Sequence, residues 1–184
     1  MTIVRRSRKG NVGQAPNNDI SYHQQRSIPM IVQDIMTSDV QCCGPDTNLA
    51  AAAKMMWDSD CGALPVLNVQ GQVMGMITDR DICMATATKN RTPSEITVWE
   101  TVSGKAYTCQ MSDDVHTALD VMKRERVRRL PVVDEEGVLQ GIVAINDFIL
   151  IAGEAKGGRA PAVSYEDVVK TLKAISAHRI LVGI

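Results

Sequence analysis

Aromatic residues are scarce: the 184 residues include one Phe, two Trp and three Tyr. Aliphatic side chains and ten Met must therefore fill any core, and a hydrophobic content of 45% supplies them. An excess of charge of either sign is also missing. Twenty Lys and Arg against 21 Asp and Glu leave a net charge of -1, which removes any global electrostatic reason to expect nucleic acid or an anionic membrane as partner. No apolar run approaches a membrane span or the core of a signal peptide. The five cysteines, Cys42, Cys43, Cys61, Cys83 and Cys109, contain no C-x-x-C pair, and three scattered histidines add no zinc-ligand spacing. An odd cysteine count without an export segment predicts reduced thiols in the cytoplasm and no metal centre. Cys42 and Cys43, adjacent in an extended segment, would point to opposite faces. His116 has no Ser or Cys nucleophile at a readable spacing, so a catalytic triad is unsupported and the chain reads as non-catalytic.

What the chain does have is a duplication. Sliding it by 66 residues aligns Val32–Ile82 with Val98–Phe148 without a gap, matching Cys43 with Cys109, Ala52 with Ala118, Met56 with Met122, Gly71 with Gly137, Gly75 with Gly141 and Asp81 with Asp147. Each copy opens on a short strand candidate, "DVQCC" or "KAYTCQ", followed by a polar break, "GPDT" or "MSDD", suited to an N-cap. Apolar residues then recur at helical spacing: Leu49, Ala52, Ala53 and Met56 in copy one, Val115, Ala118, Leu119 and Met122 in copy two. Two β-rich runs around Gly71 or Gly137 form a hairpin pattern, and the second run leads into a helix, "DRDICMATATK" or "INDFILIAGEA". The unit is β-α-β-β-α. A unit of about 60 residues buries too little surface to stand alone, so the copies are expected to pack their sheets together as one α/β (α+β) fold with pseudo-twofold symmetry.

Residues 1–29 are polar, carry Arg5, Arg6, Arg8, Lys9 and Arg26, and lack apolar periodicity; they read as a disordered basic tail. Repeat one takes residues 30–89 and repeat two residues 98–153. In the linker, 90–97, Thr92-Pro93-Ser94-Glu95 forms a capping-box pattern that predicts a short helical turn. Residues 154–184 hold a Gly-rich hinge and one more helix, capped at Ser164 with a Val168, Leu172, Ile175 stripe.

Chemistry concentrates in "GMITDRD", where a strand runs into a helix. Such a junction offers unpaired N–H groups and the positive end of the helix dipole, which favour phosphate. Thr78 adds a hydroxyl, and Asp81, one turn on, can accept two bonds from a vicinal diol such as ribose. The same four residues also read as an ordinary cap, with Thr78 at N-cap and Asp81 in an acid-favouring first turn.

The stretches "LPVLNVQGQVMGMITDRDI" and "RVRRLPVVDEEGVLQGIVAINDF" resemble the cystathionine β-synthase (CBS) domain family in its tandem form, the Bateman module, over Val32 to about Ala152. Asn68 stands where the second copy has Asp134, and Ala144 where the family pattern has Thr or Ser. The resemblance implies two clefts between the repeats, each joining a ribose-binding Asp of one repeat to a base-binding wall of the other. The first would gather Met76, Thr78, Arg80 and Asp81 with Ala106, Tyr107, Val127, Arg128 and Arg129. The second would gather Ile142, Ala144, Asn146 and Asp147 with Val40, Gln41, Cys61, Gly62 and Ala63.

Arginines equip the first cleft for phosphate, whereas the second keeps only its diol acceptor, so the first is expected to be the principal site. The reading is a cytoplasmic regulatory module that binds an adenine nucleotide (ATP, ADP, AMP or a related adenosine compound) as its signal and requires no cofactor. It would dimerise with itself through the helix that carries Ala50–Ala53, Met55 and Met56 and act on another protein chain. Two other classes compete: a ligand-free dimerisation and docking module, and a thiol-based redox protein using Cys42, Cys43 or Cys61.

Overall fold

The computed structural model describes residues 30–102, 106–155 and 160–177. In the first copy, α1 (Leu49–Asp58), β1 (Ala63–Leu67), β2 (Val73–Thr78) and α2 (Asp79–Thr88) follow one another. The second copy repeats the order with β3 (Cys109–Gln110), α3 (Val115–Glu125), β4 (Arg129–Val133), β5 (Leu139–Ala144) and α4 (Ile145–Ile151), and α5 (Tyr165–Ser176) is appended. This is the mixed α/β repeat expected from the duplication. The basic tail lies outside the described residues.

Local chemistry accounts for the elements. Asn48 caps α1 by accepting from Ala51 N–H at 2.8 Å, and Ala50–Ala53 supply the strongest helix former in series. Asp114 caps α3 through His116 N–H at 2.8 Å, while Lys123 and Arg124 complement its C-terminal dipole. Both helices end on a left-handed residue, Asp60 at φ 48° and Arg126 at φ 56°. The hairpins β1-β2 and β4-β5 pair antiparallel in the same register, Ala63 opposite Thr78 and Arg129 opposite Ala144. Asn68 performs the turn role of Asp134: its Oδ1 accepts from Gln70 and Gln72 N–H, as Asp134 Oδ1 accepts from Glu136 and Val138.

Three expectations shift. "DVQCC" reduces to a single bridge, Cys43 with Val66, whereas its counterpart forms the two-residue β3, parallel to β4. Helix α4 stops at Ile151 instead of continuing to Ala155, because Ala152 turns extended and Gly153 N–H bonds Val163 O at 3.0 Å. The third concerns Ala53, placed on the buried stripe of α1, which is exposed while its counterpart Leu119 is fully buried. The Thr92–Glu95 turn forms as a short 3-10 helix, Pro93–Glu95, with the Glu95 carboxylate accepting from Thr92 N–H.

The two units share their pieces. Val98 N–H bonds Thr47 O at 2.8 Å and Val32 N–H bonds Asp113 O at 2.9 Å; Trp99 pairs with Pro45 and Gln33 with Met111 in the same way. Each leading segment thus crosses to the other copy. Ile96 and Val98 complete the core around Leu49, Leu64, Val66 and Ile77, while Val32 completes that around Val115, Leu119, Leu130 and Phe148. The twofold also relates Val73 N–H to Gly137 O (3.1 Å) and Leu139 N–H to Gly71 O (3.0 Å), so the hairpin turns bond each other directly. Helix α5 breaks the symmetry. It packs on α3 and α4 through Val168, Leu172 and Ile175, and no helix among the described residues covers the equivalent face of α1 and α2.

Candidate functional site

A cleft of about 550 Å³ opens where the two hairpins meet. Its floor is Ala63, Met76 and Thr78, and its wall is the run Arg126–Arg129, joined by Ala106 and Tyr107 and by Asp79 and Arg80 at the start of α2. Eight of the nine residues expected in the first cleft therefore line it: Met76, Thr78, Arg80, Ala106, Tyr107, Val127, Arg128 and Arg129. The ninth, Asp81, does not: it borders a separate groove of about 170 Å³ with Met84, Thr88, Lys89 and Glu100, and it meets the cleft through Thr78. Its Oδ2 accepts from Thr78 Oγ1 at 2.7 Å and from Thr78 N–H at 3.0 Å, while Asp81 N–H returns to Thr78 Oγ1 at 3.2 Å.

That capping box changes the expected chemistry of the helix start. Asp79 N–H is bonded to Gly62 O at 3.2 Å and Arg80 N–H to Asp79 Oδ1 at 2.7 Å, so the amides read as unpaired already have partners. Anion affinity in the cleft rests on side chains instead. Four arginines, Arg80, Arg126, Arg128 and Arg129, line it with the single carboxylate of Asp79, and none of the four forms an ion pair with a carboxylate among the described residues. Such a concentration of positive charge in a concave site attracts phosphate or carboxylate and can hold it by forked hydrogen bonds.

Three further residues line the cleft that no motif marks. Asp79 opens α2 beside it, and the left-handed conformation of Arg126 at the end of α3 turns the chain into its wall. Ile175 reads as part of an amphipathic stripe, yet α5 brings it to the cleft from outside both repeats. Gly62 and Ala63, assigned to the second site, line this one as well. A Cβ at Gly62 would lie 3.1 Å from Asp79 Oδ2 and 3.7 Å from Arg129 Nη2, so a larger residue there would crowd the Asp79 carboxylate.

The residues of the second site are differently equipped. Asp147 Oδ2 accepts from Ala144 N–H at 2.7 Å, but Ala144 has no hydroxyl to complete the box. Ile142 is tied by both backbone groups to Thr37 at 2.9 Å, Asn146 and Gln41 are exposed, Val40 is half-buried, and Cys61 lies in a neighbouring groove with Trp57 and Arg129. At the positions related by the duplication to Arg80, Arg126, Arg128 and Arg129 stand Asn146, Asp60, Gly62 and Ala63. The charge that marks the first cleft has no counterpart.

Burial pushes the Cys43 thiol up to about 11, with Cys42 adding to it, and the Cys109 thiol up to about 12, with Asp113 adding to it. Neither is a reactive thiolate at neutral pH. Among the described residues no three His, Cys, Asp or Glu gather as a metal site, and no helix is long and apolar enough to cross a membrane.

Two related α/β units that exchange leading segments and enclose a cleft define a tandem-repeat fold. The CBS domain family model matches residues 32–87 and 98–153; the chain belongs to the CBS domain family and carries its tandem pair. It is 35% identical over 143 residues to the CBS domain-containing protein YhcV of Bacillus subtilis, covering 74% of this chain and 97% of that one. Hypoxic Response Protein I, solved with two coordinated zinc ions, superposes with a TM-score of 0.62 at 33% identity over 67% of this chain and 100% of its own. The CBS domain pair of protein MJ0100, solved in complex with 5-methylthioadenosine and S-adenosyl-L-methionine, superposes with a TM-score of 0.57 at 26% identity over 66% of this chain and 98% of its own.

Proposed function

We propose that this protein is a non-catalytic, cytoplasmic regulatory module whose first cleft binds an adenine nucleotide or a related adenosine compound. The observation that carries the reading is that four arginines, none in an ion pair among the described residues, line one open cleft that also holds the Thr78 hydroxyl, with the Asp81 carboxylate behind that hydroxyl. The adenosine compounds bound by MJ0100 support the ligand class. Phosphate is held by Arg80, Arg126, Arg128 and Arg129, and the base lies against Ala106, Tyr107 and Val127. The ribose diol donates to Asp81, displacing the Thr78 hydroxyl from Oδ2, an exchange of one hydrogen bond for another. Met76 floors the site. The residues around Asp147 form the weaker second site.

The output is a change in how the protein meets other chains. A second copy docks on the face of α1 and α2, where Ala50, Ala53, Trp57 and Met84 are exposed, and a further protein reads the ligand-bound state. Calorimetry with ATP, ADP, AMP and adenosine tests the ligand claim. Binding of at least one of them, weakened by Arg128→Ala in proportion to its phosphates, is the expected result; no binding of any adenosine compound would leave the ligand-free docking module in its place.

A further inference from the structure

Helix α5 lies outside the matched repeats, yet it reaches the cleft. Its first half is anchored: Val163 and Thr171 are fully buried, Val168 is 5% exposed, and the Ser164 hydroxyl and Asp167 carboxylate close a capping box at 2.6 Å. The same carboxylate faces His116 in the first turn of α3, with Asp167 Oδ2 and His116 Nε2 3.7 Å apart. From Asp167 the helix runs beside α3, and at a rise of about 1.5 Å per residue its last turn arrives about 12 Å further on. There Ile175, half-buried against the second core, borders the cleft together with Tyr107 and Arg126.

The side chains around the cleft divide by chemistry. Charge comes from Asp79, Arg80 and the arginines of the 126–129 run; the apolar surface beyond the sheet floor comes from Ala106, Tyr107, Val127 and Ile175. We infer that Ile175 is a ligand-contacting residue that completes the apolar wall for the base, and that ligand occupancy and the seating of the last turn of α5 stabilise each other. This rests on the reading of the cleft as an adenosine site. Its physical basis is simple: a flat apolar ring gains contact area from a branched aliphatic side chain laid on it, and a helix end with a ligand packed against it frays less. Linkage makes the effect reciprocal, so whatever loosens that turn weakens binding and whatever binds tightens the turn.

The test uses the full chain, with adenosine, AMP and ATP as probes in calorimetry and hydrogen exchange read on the α5 amides. Ile175→Ala should weaken all three ligands by a similar factor, roughly 5-fold for partial loss of an aliphatic contact, and Ile175→Leu should restore most of it. Each ligand should slow exchange at Leu172–Ser176. Leu172→Ala, which packs on the core and not on the cleft, separates contact from folding. It should lower the melting temperature while weakening adenosine less than Ile175→Ala does. If no ligand binds the unaltered protein, the adenosine reading itself fails. If ligands bind but Ile175→Ala leaves every Kd unchanged, or its effect grows with phosphate number, or Leu172→Ala weakens adenosine as much, the assignment of Ile175 to the base wall is overturned.

Discussion

Asp81 has two roles, each with its own measurement. As a cap it takes both bonds from Thr78, so Asp81→Ala should lower stability by about 1 kcal/mol, visible in a denaturant titration. As diol acceptor it is proposed to take ribose hydroxyls, and losing such charge-assisted bonds costs about 1.5 to 3 kcal/mol, or roughly 10- to 150-fold in affinity. Asp147→Ala removes a cap with one bond instead of two and should change nucleotide affinity much less. A stability loss without an affinity loss in Asp81→Ala would reduce this residue to a cap. The residues lining the first cleft were legible where a motif named them. Asp79, Arg126 and Ile175 were not, because an acid in a first helical turn, an arginine at a helix end and an isoleucine in a stripe each have an ordinary role that sequence cannot distinguish from a place in a cleft.

Among the elements, the exchanged leading segments carry the most consequence. Residues 36 and 37 press on β5 so closely that a Cβ at Gly141 would stand 2.8 Å from Thr37 O and 2.9 Å from Met36 Sδ; at Gly75 it would stand 2.6 Å from Val102 Cγ1. Gly141→Ala should therefore destabilise by about 1 to 3 kcal/mol through overpacking, measured as a fall in thermal midpoint. Gly75→Ala should cost a similar amount, because Val102 is β-branched and packs against the first core. Helix α5 adds a pH dependence. The Ser164 hydroxyl, then the Ser164 N–H, hold the Asp167 carboxyl below the ordinary range, with His116 contributing less. A lowered folded value means that this stabilisation is present above the unfolded value of about 3.9 and is lost as pH falls through the folded one. The melting difference between the unaltered protein and Asp167→Asn should accordingly be largest near neutral pH and shrink below about pH 4. Helices and hairpins were legible from periodicity and the 66-residue offset. The exchange of segments was not, since an offset that aligns two copies is silent about which copy each segment packs on. The seat of α5 was not either: the stripe Val168, Leu172, Ile175 announces an apolar face without naming its partner.

At the scale of the molecule, the duplication has diverged along one axis. One cleft collected four arginines while its twofold mate holds Asn146, Asp60, Gly62 and Ala63. One helical face is covered by α5, while the equivalent face leaves Trp57 86% exposed on a groove of about 510 Å³ lined by Ala53, Met56 and Ile82 together with Asp60, Asp79 and Arg129. Of the α1 residues expected at a dimer contact, Ala52 and Met56 are buried in the core and Met55 is half-buried, which leaves Ala50, Ala51 and Ala53 with Trp57 for the partner. A projecting ring next to a groove on one face suits an isologous contact. Sedimentation at micromolar concentration should show a dimer, and Ala53→Arg should give a folded monomer; an unaltered dimer in that variant would place the contact elsewhere. The arginine-lined cleft is proposed as the principal site for an adenosine ligand. Its most direct test is calorimetry of AMP on the unaltered chain, Asp81→Ala and Asp147→Ala side by side. One dominant site per chain is expected, weakened at least tenfold by Asp81→Ala and left nearly intact by Asp147→Ala; binding that survives Asp81→Ala and is lost in Asp147→Ala would overturn the assignment.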